Sequence, residues 1–567
     1  MPSELDLTLK AVMDALTAPG APLETATIRR FGHDLPALRN APPHLPAFFA
    51  HYCQEHADKC FLVESDRRLT FAETYTLAHE AAMGLVLRHG VKRGERIGIA
   101  ARNSSNWIIV YMAVLMAGGC ATLLNGWWTG EEMADAIALA DCRLILADPQ
   151  RSARIEGAGH DGQVVVFDHG LPRDGLAPLL GAGEIDAGIV GLPDLTADDL
   201  ATILFTSGST GQSKGAVSDH RGVVHGTLSY AAQSLMILMY LTGQGKAPTA
   251  QPCALVAVPL FHVTGEIPVM LQSFVLGRKL VLMPRWDAME AMRLIEAERV
   301  SYFVGVPLMS YEIASHPQRS SFDMSSCMHF AAGGAPRPIE HVVAIREALP
   351  HAFPLLGYGL TETNGVGCGN FNENYVAKPG STGPASRPLV EVEILDDAGK
   401  ALPQGATGEV AIRSIANFLG YWRNPEATAA AVTVDGFFRS GDLGYLDEDG
   451  YLFIVDRKKD IIIRGGENIA ASEVEAAIYA HPAVAEASVF GLPDDRFGEV
   501  PVAVYVVVEG MQLSDDDLRG HLEKHIAPFK IPVRFWQETA SLPRLGTEKV
   551  DKRALKARYS AGWNAQP

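Results

Sequence analysis

Apolar residues in this chain come in short blocks whose spacing changes along its length. Residues 96–101, 120–124 and 143–147 are apolar runs of strand length, and residues 107–117 form one of helix length. At Thr129-Gly130-Glu131-Glu132 a threonine precedes a glutamate by three positions, a capping box that predicts a helix reaching Ala140. Strands alternating with helices across short loops predict a mostly parallel sheet covered on both faces. Residues 151–200 are rich in Gly, Asp and Pro and read as loosely structured surface. After Gly365 the pattern changes. Residues 392–395 and 408–413 predict strands around a turn at 396–400, and residues 445–455 a second hairpin about Asp447-Glu448-Asp449-Gly450. Beyond the charge run Asp456-Arg457-Lys458-Lys459-Asp460, helices are expected at 472–479, 514–525 and 551–558, with a strand at 500–508. A domain boundary is expected near Lys459.

One uncharged segment, residues 103–128, is long enough to span a bilayer. Gly118-Gly119 interrupts it and turn-like residues flank it, so a buried helix followed by a buried strand is the expectation. At 567 residues and 61.0 kDa the chain exceeds a single hydrophobic core. Its 48 Lys+Arg against 66 Asp+Glu leave a net charge of −18, which argues against nucleic acid as a partner. Seven scattered cysteines without a C-x-x-C pair point to a reducing compartment and no zinc site. Residues 1–10 lack a leader's apolar run, and Asn564-Ala565-Gln566-Pro567 is no peroxisomal address. The expectation is a cytoplasmic protein without a transmembrane span, with peripheral membrane contact and a homodimer both left open.

The strongest chemical signal is Thr206-Ser207-Gly208-Ser209-Thr210-Gly211-Gln212-Ser213-Lys214-Gly215, which follows a strand-like run at 201–205. Glycines and small hydroxyl residues let backbone N–H groups and side chains converge on phosphate oxygens, and a lysine adds charge. It is not a Walker A loop: Ser213 stands where that motif needs Gly, and Gly215 where it needs Ser or Thr. Two other patterns fail on context. Gly157-Ala158-Gly159-His160-Asp161-Gly162 fits a dinucleotide fingerprint but precedes its strand, and His79-Glu80 lacks a second histidine at Met83.

Seven motifs in order resemble the acyl-adenylate-forming superfamily of acyl-CoA synthetases, adenylation domains and luciferases. The loop above resembles its phosphate loop, Pro259-Leu260-Phe261-His262 its aromatic gate, and Gly333-Gly334-Ala335-Pro336 the segment covering one face of adenine. Tyr358-Gly359-Leu360-Thr361-Glu362 resembles its adenine and metal motif, Arg439-Ser440-Gly441-Asp442 its ribose motif, and Asp456-Arg457-Lys458-Lys459-Asp460 its hinge. Pro543-Arg544-Leu545-Gly546-Thr547-Glu548-Lys549 resembles its catalytic-lysine loop. The resemblance runs from about Leu45 to Leu555. It implies an α/β fold: a large N-terminal domain (residues 1–458) of stacked α/β subdomains plus a β-rich subdomain, and a small mobile α+β C-terminal domain (residues 459–567).

The same resemblance implies roles. Thr206, Ser207, Gly208, Ser209, Thr210, Gly211 and Lys214 would hold phosphates. Gly334, Ala335 and Tyr358 would enclose adenine, and Asp442 and Arg457 the ribose. Glu362, with Thr210, would hold Mg²⁺, an ion that favours one or two carboxylates plus phosphate oxygens. Thr361 would contact the α-phosphate. Lys549 would bridge the carboxylate and the α-phosphate, a task suited to a flexible point charge. His262, Gly333 and Gly359 would line the acyl pocket, Gly465 and Gly466 the thiol tunnel, and Lys459 would be the hinge. Outside the motifs several of these residues read differently: Glu362 and Lys549 as solvated charges, Tyr358 as a core tyrosine, Asp442 as a turn residue. Two positions depart from the family pattern: Glu548 replaces a usual Gly, and Ala470-Ala471 a frequent Tyr-Pro.

The implied reaction joins a carboxylate to ATP, giving an acyl-adenylate and pyrophosphate, after which a thiol releases AMP. The chain ends soon after Lys549 without a carrier domain, so coenzyme A is the expected acceptor. The helix expected to line the acyl pocket, residues 226–245, is uncharged and fits an apolar tail. A medium- or long-chain fatty acid is expected first and an aryl acid second. An adenylating ligase with a carrier protein or an amine as acceptor, and a non-enzymatic ligand sensor, are the alternatives.

Overall fold

The computed structural model describes residues 2–160, 162–180, 191–206, 213–333, 337–545 and 549–563. The apolar runs near the N-terminus pair into a seven-stranded sheet, in the order Gly420–Tyr421, Lys214–Asp219, Leu200–Thr206, Cys120–Leu123, Arg96–Ala100, Leu144–Ala147 and Gln163–Val166. The strands from Leu200–Thr206 to Gln163–Val166 run parallel, and Lys214–Asp219 turns back antiparallel. All twelve residues of the helix Ser105–Met116 are buried. It packs against strands of two different sheets, so it is apolar all round because both of its faces are interior. Among the described residues, no helix is long and apolar enough to cross a membrane.

A second, eight-stranded sheet runs Gly367–Asn370, Phe353–Gly359, His329–Ala332, Tyr302–Gly305, Cys253–Val256, Lys279–Leu282, Cys60–Glu64 and Arg67–Thr70. Its central strands are parallel, with Tyr302 opposite His329 and His329 opposite Phe353. Gly305, Gly333 and Gly359 therefore lie together at its C-terminal edge, where open α/β sheets place their ligands. The alternating pattern after Gly365 forms a four-stranded antiparallel sheet of Val390–Leu395, Gly408–Ser414, Phe438–Leu446 and Leu452–Arg457. A five-stranded sheet, built wholly from residues 462–538, packs with the helices Ala471–Tyr479, Asp515–Leu522 and Lys552–Ser560 around cores of its own. The molecule is thus a large α/β N-terminal domain and a small C-terminal domain.

Two expectations are corrected. Residues 151–200 are not uniformly loose surface. Asp148 caps the helix Pro149–Gly157, Arg151 is buried, and the strand Gln163–Val166 extends the first sheet. Asp148-Pro149 is a helix-start signal that the Gly- and Pro-rich composition hid. The helix expected over 514–525 ends at Leu522, shortly before Pro528. An N-terminal helix, Glu4–Thr17, also packs on the long helix His220–Gly243 through Leu9, Met13, Leu16, Met236 and Ile237.

Candidate active site

Asp442 organises one end of the site. Ser440-Gly441-Asp442 kinks its strand: Gly441 has φ 74°, and the Ser440 hydroxyl donates to the Val410 carbonyl at 2.6 Å while accepting from the Asp442 N–H at 3.0 Å. The kink buries the Asp442 carboxylate. Its Oδ2 accepts from the Tyr358 hydroxyl at 2.7 Å, and its Oδ1 meets Arg457 Nε at 3.1 Å. Arg457 arrives by register, since Asp442 and Arg457 are partners across two antiparallel strands. Burial, and then the Asp442 charge, push the Tyr358 phenol well above its ordinary pKa, so it stays a donor. Residues 358, 442 and 457, from three separate motifs, thus form one cluster held by a hydrogen bond and an ion pair.

Glu362 lies beyond it on the short 3₁₀ turn Thr361–Thr363, after the strand Phe353–Gly359. Asn364 at φ 48° and Gly365 at φ 77° reverse the chain so tightly that a Cβ on Gly359 would stand 1.9 Å from the Gly365 carbonyl oxygen. Glu362 is buried, contrary to the solvated reading of a lone glutamate, whereas Thr361 is half-buried. The Tyr421 hydroxyl donates to Glu362 Oε1 at 2.8 Å. Burial raises the pKa of Glu362, and Tyr421, Arg457 and Lys214 work against that rise. Lys214 Nζ sits 4.9 Å from the centre of the Tyr421 ring, and Lys214 is the register partner of Thr206. Thr206 and Lys214 therefore flank the opening of the Ser/Thr/Gly loop. Ser207, Gly208, Ser209, Thr210 and Gly211 lie outside the described residues, as do Gly334 and Ala335.

Lys549 comes to this cluster from the C-terminal domain. A backbone bond from the Leu545 N–H to the Lys549 carbonyl, 2.7 Å, and a bridge between Arg544 and Val550 close its loop. Burial, Arg457 and Lys459 depress the ammonium to about 8, while Asp442 and Glu362 act to raise it. His262 faces the same cation. Burial and then Lys549 hold its imidazole at about 3, so it is neutral and a poor proton acceptor. Its Nδ1 accepts from the Thr264 N–H at 3.2 Å, and the Thr264 side chain lies against Gly333. Lys459 stands exposed in the turn between Leu452–Arg457 and Ile462–Arg464. Gly465 and Gly466, at φ 60° and 91°, make the two-residue turn of the next hairpin, and the Gly465 N–H bonds the Phe497 carbonyl. Tyr421 went unnoticed in the sequence, because a lone tyrosine carries no periodic or spacing signal that would set it beside Glu362. Glu409, which anchors Arg439 and the Gly441 N–H, went unnoticed for the same reason.

A single carboxylate, Glu362, with Lys214 nearby is no metal cage. Among the described residues no three His, Cys, Asp or Glu side chains cluster to hold an ion. Such a donor set fits Mg²⁺ only as an ion carried in on a polyphosphate, with Glu362 adding one ligand.

The model of the AMP-binding enzyme family matches residues 49–422, and that of its C-terminal domain residues 473–549. The chain belongs to the AMP-binding enzyme family. Among its relatives is a 4-coumarate–CoA ligase-like protein of Oryza sativa subsp. japonica, 32% identical over 544 residues, covering 94% of this chain and 95% of that one. A feruloyl-CoA synthase of an Amycolatopsis species is 33% identical over 496 residues, 87% of this chain and 94% of that one. ATP-bound MatB from Rhodopseudomonas palustris superposes with a TM-score of 0.78 at 29% identity, over 90% of this chain and 98% of that one. This AMP-binding enzyme is thus of the acyl- and aryl-CoA ligase kind, and membership of that family implies ATP and coenzyme A as substrates.

Proposed function

We propose that this chain is an ATP-dependent acid–thiol ligase. A carboxylate oxygen attacks the α-phosphorus of ATP, pyrophosphate leaves, and the thiolate of coenzyme A then displaces AMP to give the acyl thioester. The observation that carries this reading is the meeting of Lys549, from the small domain, with Asp442, Arg457 and Glu362 of the large one. Attack of one anion on another needs cations placed where charge develops, and Lys549 is the residue here able to touch both partners. Asp442 accepts from the ribose hydroxyls, with Arg457 beside it. Tyr358 covers adenine, with Gly334 and Ala335 on its other face. Thr206, Lys214 and the loop between them take the phosphates, and Thr361 the α-phosphate. Glu362, with Thr210, would hold Mg²⁺, which when bound supplies charge neutralisation on the phosphates.

In the same proposal the boundary falls between residues 458 and 459. The C-terminal domain turns about Lys459 after adenylation, exchanging Lys549 for the Gly465-Gly466 turn at the thiol's entry path. His262, Thr264, Gly333 and Gly359 bound the reacting end of the acyl pocket. The body of the acid packs on the helix His220–Gly243, whose inner residues are apolar or uncharged, which supports an acid with an apolar body. Relatives named for 4-coumarate and ferulate favour a ring-bearing body over a plain fatty chain. Seven unpaired, mostly buried thiols support a cytoplasmic setting. The test is acid-dependent ATP–pyrophosphate exchange over a panel of acids, followed by AMP release with and without coenzyme A. Exchange with AMP release accelerated by coenzyme A is expected. Turnover indifferent to coenzyme A would overturn the assignment of the acceptor.

A further inference from the structure

Deeply buried arginines in this protein have partners. Arg30 forks Asp219 at 2.6 and 2.9 Å, and Arg151 meets Asp148 at 3.2 Å. Arg337, without a carboxylate, donates to the carbonyls of Leu355 and Phe330 and to the Ser310 hydroxyl. Arg278 is the exception. It is 4% exposed, its Nε, like those of Arg30 and Arg337, is buried without an acceptor, and among the described residues the one hydrogen bond its side chain makes is a long 3.4 Å contact from Nη1 to Gln272 Oε1. The Tyr302 ring lies 4.7 Å from the guanidinium carbon. A guanidinium does not shed its proton, so this charge persists in an interior that penalises it.

Arg278 lies across the eight-stranded sheet from the candidate site, and a chain of contacts joins the two. It directly precedes the strand Lys279–Leu282, and Tyr302 and His329 begin the strands Tyr302–Gly305 and His329–Ala332. All three therefore sit at the end of the eight-stranded sheet opposite Gly305, Gly333 and Gly359. Gln272 links them to the pocket wall. Its Nε2 donates to the Tyr230 carbonyl at 2.8 Å and to the Ser234 hydroxyl at 2.7 Å, one turn apart on the helix His220–Gly243. The Tyr230 hydroxyl in turn donates to the Gly365 carbonyl, beside Val263 and the gate. A continuous run of side chains thus connects the reacting end to Arg278. Neither the Tyr302 hydroxyl nor the His329 ring has a hydrogen-bond partner among the described residues. Burial and the nearby Arg278 keep His329 neutral, at about 4.

We infer that Arg278 anchors the far end of the acid, and that the preferred acid carries a second carboxylate remote from the one adenylated. The inference rests on the reading of the chain as a carboxylate-activating ligase and deepens it. A carboxylate would meet the guanidinium fork edge-on with two parallel N–H bonds and accept a third from Tyr302. A hydrocarbon tail would leave the charge unpaired, and a ketone or hydroxyl would engage one donor. The uncharged helix wall remains suited to the body of such an acid; the charge sits outside the 226–245 stretch that suggested an apolar tail.

Exchange of pyrophosphate into ATP tests this with three matched acids at each of several lengths, including ring-bearing ones: the diacid, the monoacid of equal size, and the diacid's far-end methyl ester. At one length the diacid should exceed both others by about a hundredfold in kcat/KM. Arg278→Met should raise that diacid's KM by about the same factor with kcat nearly unchanged, and leave the monoacid's constants within about threefold. Arg278→Lys should restore part of the affinity. Equal use of mono- and diacids by the wild type at every length would overturn the inference, as would equal losses for both acids in Arg278→Met. If Arg278→Met fails to fold, by circular dichroism, the wild-type comparison decides alone. Exchange with no acid at all is a different result, which removes the ligase reading itself.

Discussion

Raising the pH should silence acyl-adenylate formation well before it harms the fold, because the cation proposed to drive that step is held near its own titration point. Lys549 is depressed from 10.5 to about 8, first by burial and then by Arg457 and Lys459. About nine-tenths of it is then charged at pH 7 and about one-tenth at pH 9. The kcat/KM for ATP in pyrophosphate exchange, which reports the free enzyme, should fall along an alkaline limb centred near pH 8. Bound triphosphate adds negative charge beside the ammonium, so the limb in kcat should lie higher. The effect on stability has the opposite sign. Between pH 8 and 10.5 the unfolded chain holds the lysine proton more firmly than the folded one, so this group makes the fold gain stability as pH rises. A loss of rate in that window with an unchanged melting temperature is chemistry, not unfolding. Lys549→Arg should abolish the limb, since arginine stays charged, at a reduced plateau. Lys549→Ala should cost about a hundredfold to a thousandfold in exchange at pH 7, as for loss of one preorganised charge-stabilising donor. Arg457→Gln, which removes the cation that depresses Lys549 most, should move the limb upward. An alkaline limb that persists unmoved in Lys549→Arg would refute the reasoning.

Further outcomes follow from the same geometry. Tyr421→Phe removes a bond that holds the Glu362 pKa down, so the acid limb of exchange should move to higher pH, with activity at pH 6 falling more than at pH 8. Tyr358→Phe deletes the 2.7 Å bond to Asp442 and should raise the KM for ATP by about five- to tenfold with little change in kcat, read by steady-state exchange. Gly359→Ala would drive a methyl into the Gly365 carbonyl and should destabilise by about 1–3 kcal/mol or more, seen as a lower melting temperature and weakened exchange. Lys459→Pro breaks no hydrogen bond donated by that residue's own N–H, yet stiffens the inter-domain turn. It should spare one half-reaction and stop the other, and equal loss of both in single-turnover assays would count against domain alternation.

The parts of the site legible in the sequence are those where local spacing does the work. Ser440-Gly441-Asp442, turn-like in sequence, kinks a strand through a glycine and a side-chain bond two residues away. The strand–helix alternation was likewise readable, because a buried parallel strand is a short apolar run whatever it pairs with. Tyr421 to Glu362 and Arg278 to Tyr302 were not. Each joins residues far apart in the chain, and neither side chain belongs to a periodic pattern or a motif. Arg278 was hidden further by its neighbour Lys279: two adjacent cations suggest surface, whereas Arg278, just before the strand Lys279–Leu282, is buried.

The chain's overall charge and its site's local charge have opposite consequences, and the fold reconciles them. A net charge of −18 repels a long polyanion at every point of a broad surface, which is why composition spoke against nucleic acid. A nucleoside triphosphate is small enough to be recognised within about one Debye length, roughly 10 Å, where the distribution of charge matters more than the total. Lys214 comes from the first sheet, Arg457 from the four-stranded sheet, Lys459 from the connecting turn and Lys549 from the small domain. Before a nucleotide binds, Arg457 and Lys459 add to burial in depressing the pKa of Lys549. On the proposed reading, polyphosphate would relieve the repulsion among these cations, so its arrival would favour the arrangement in which the small domain presents Lys549. In the proposed alternation, departure of pyrophosphate would withdraw much of the relief, and the same repulsion would then favour swinging Lys549 away, the direction proposed for the thioester-forming step.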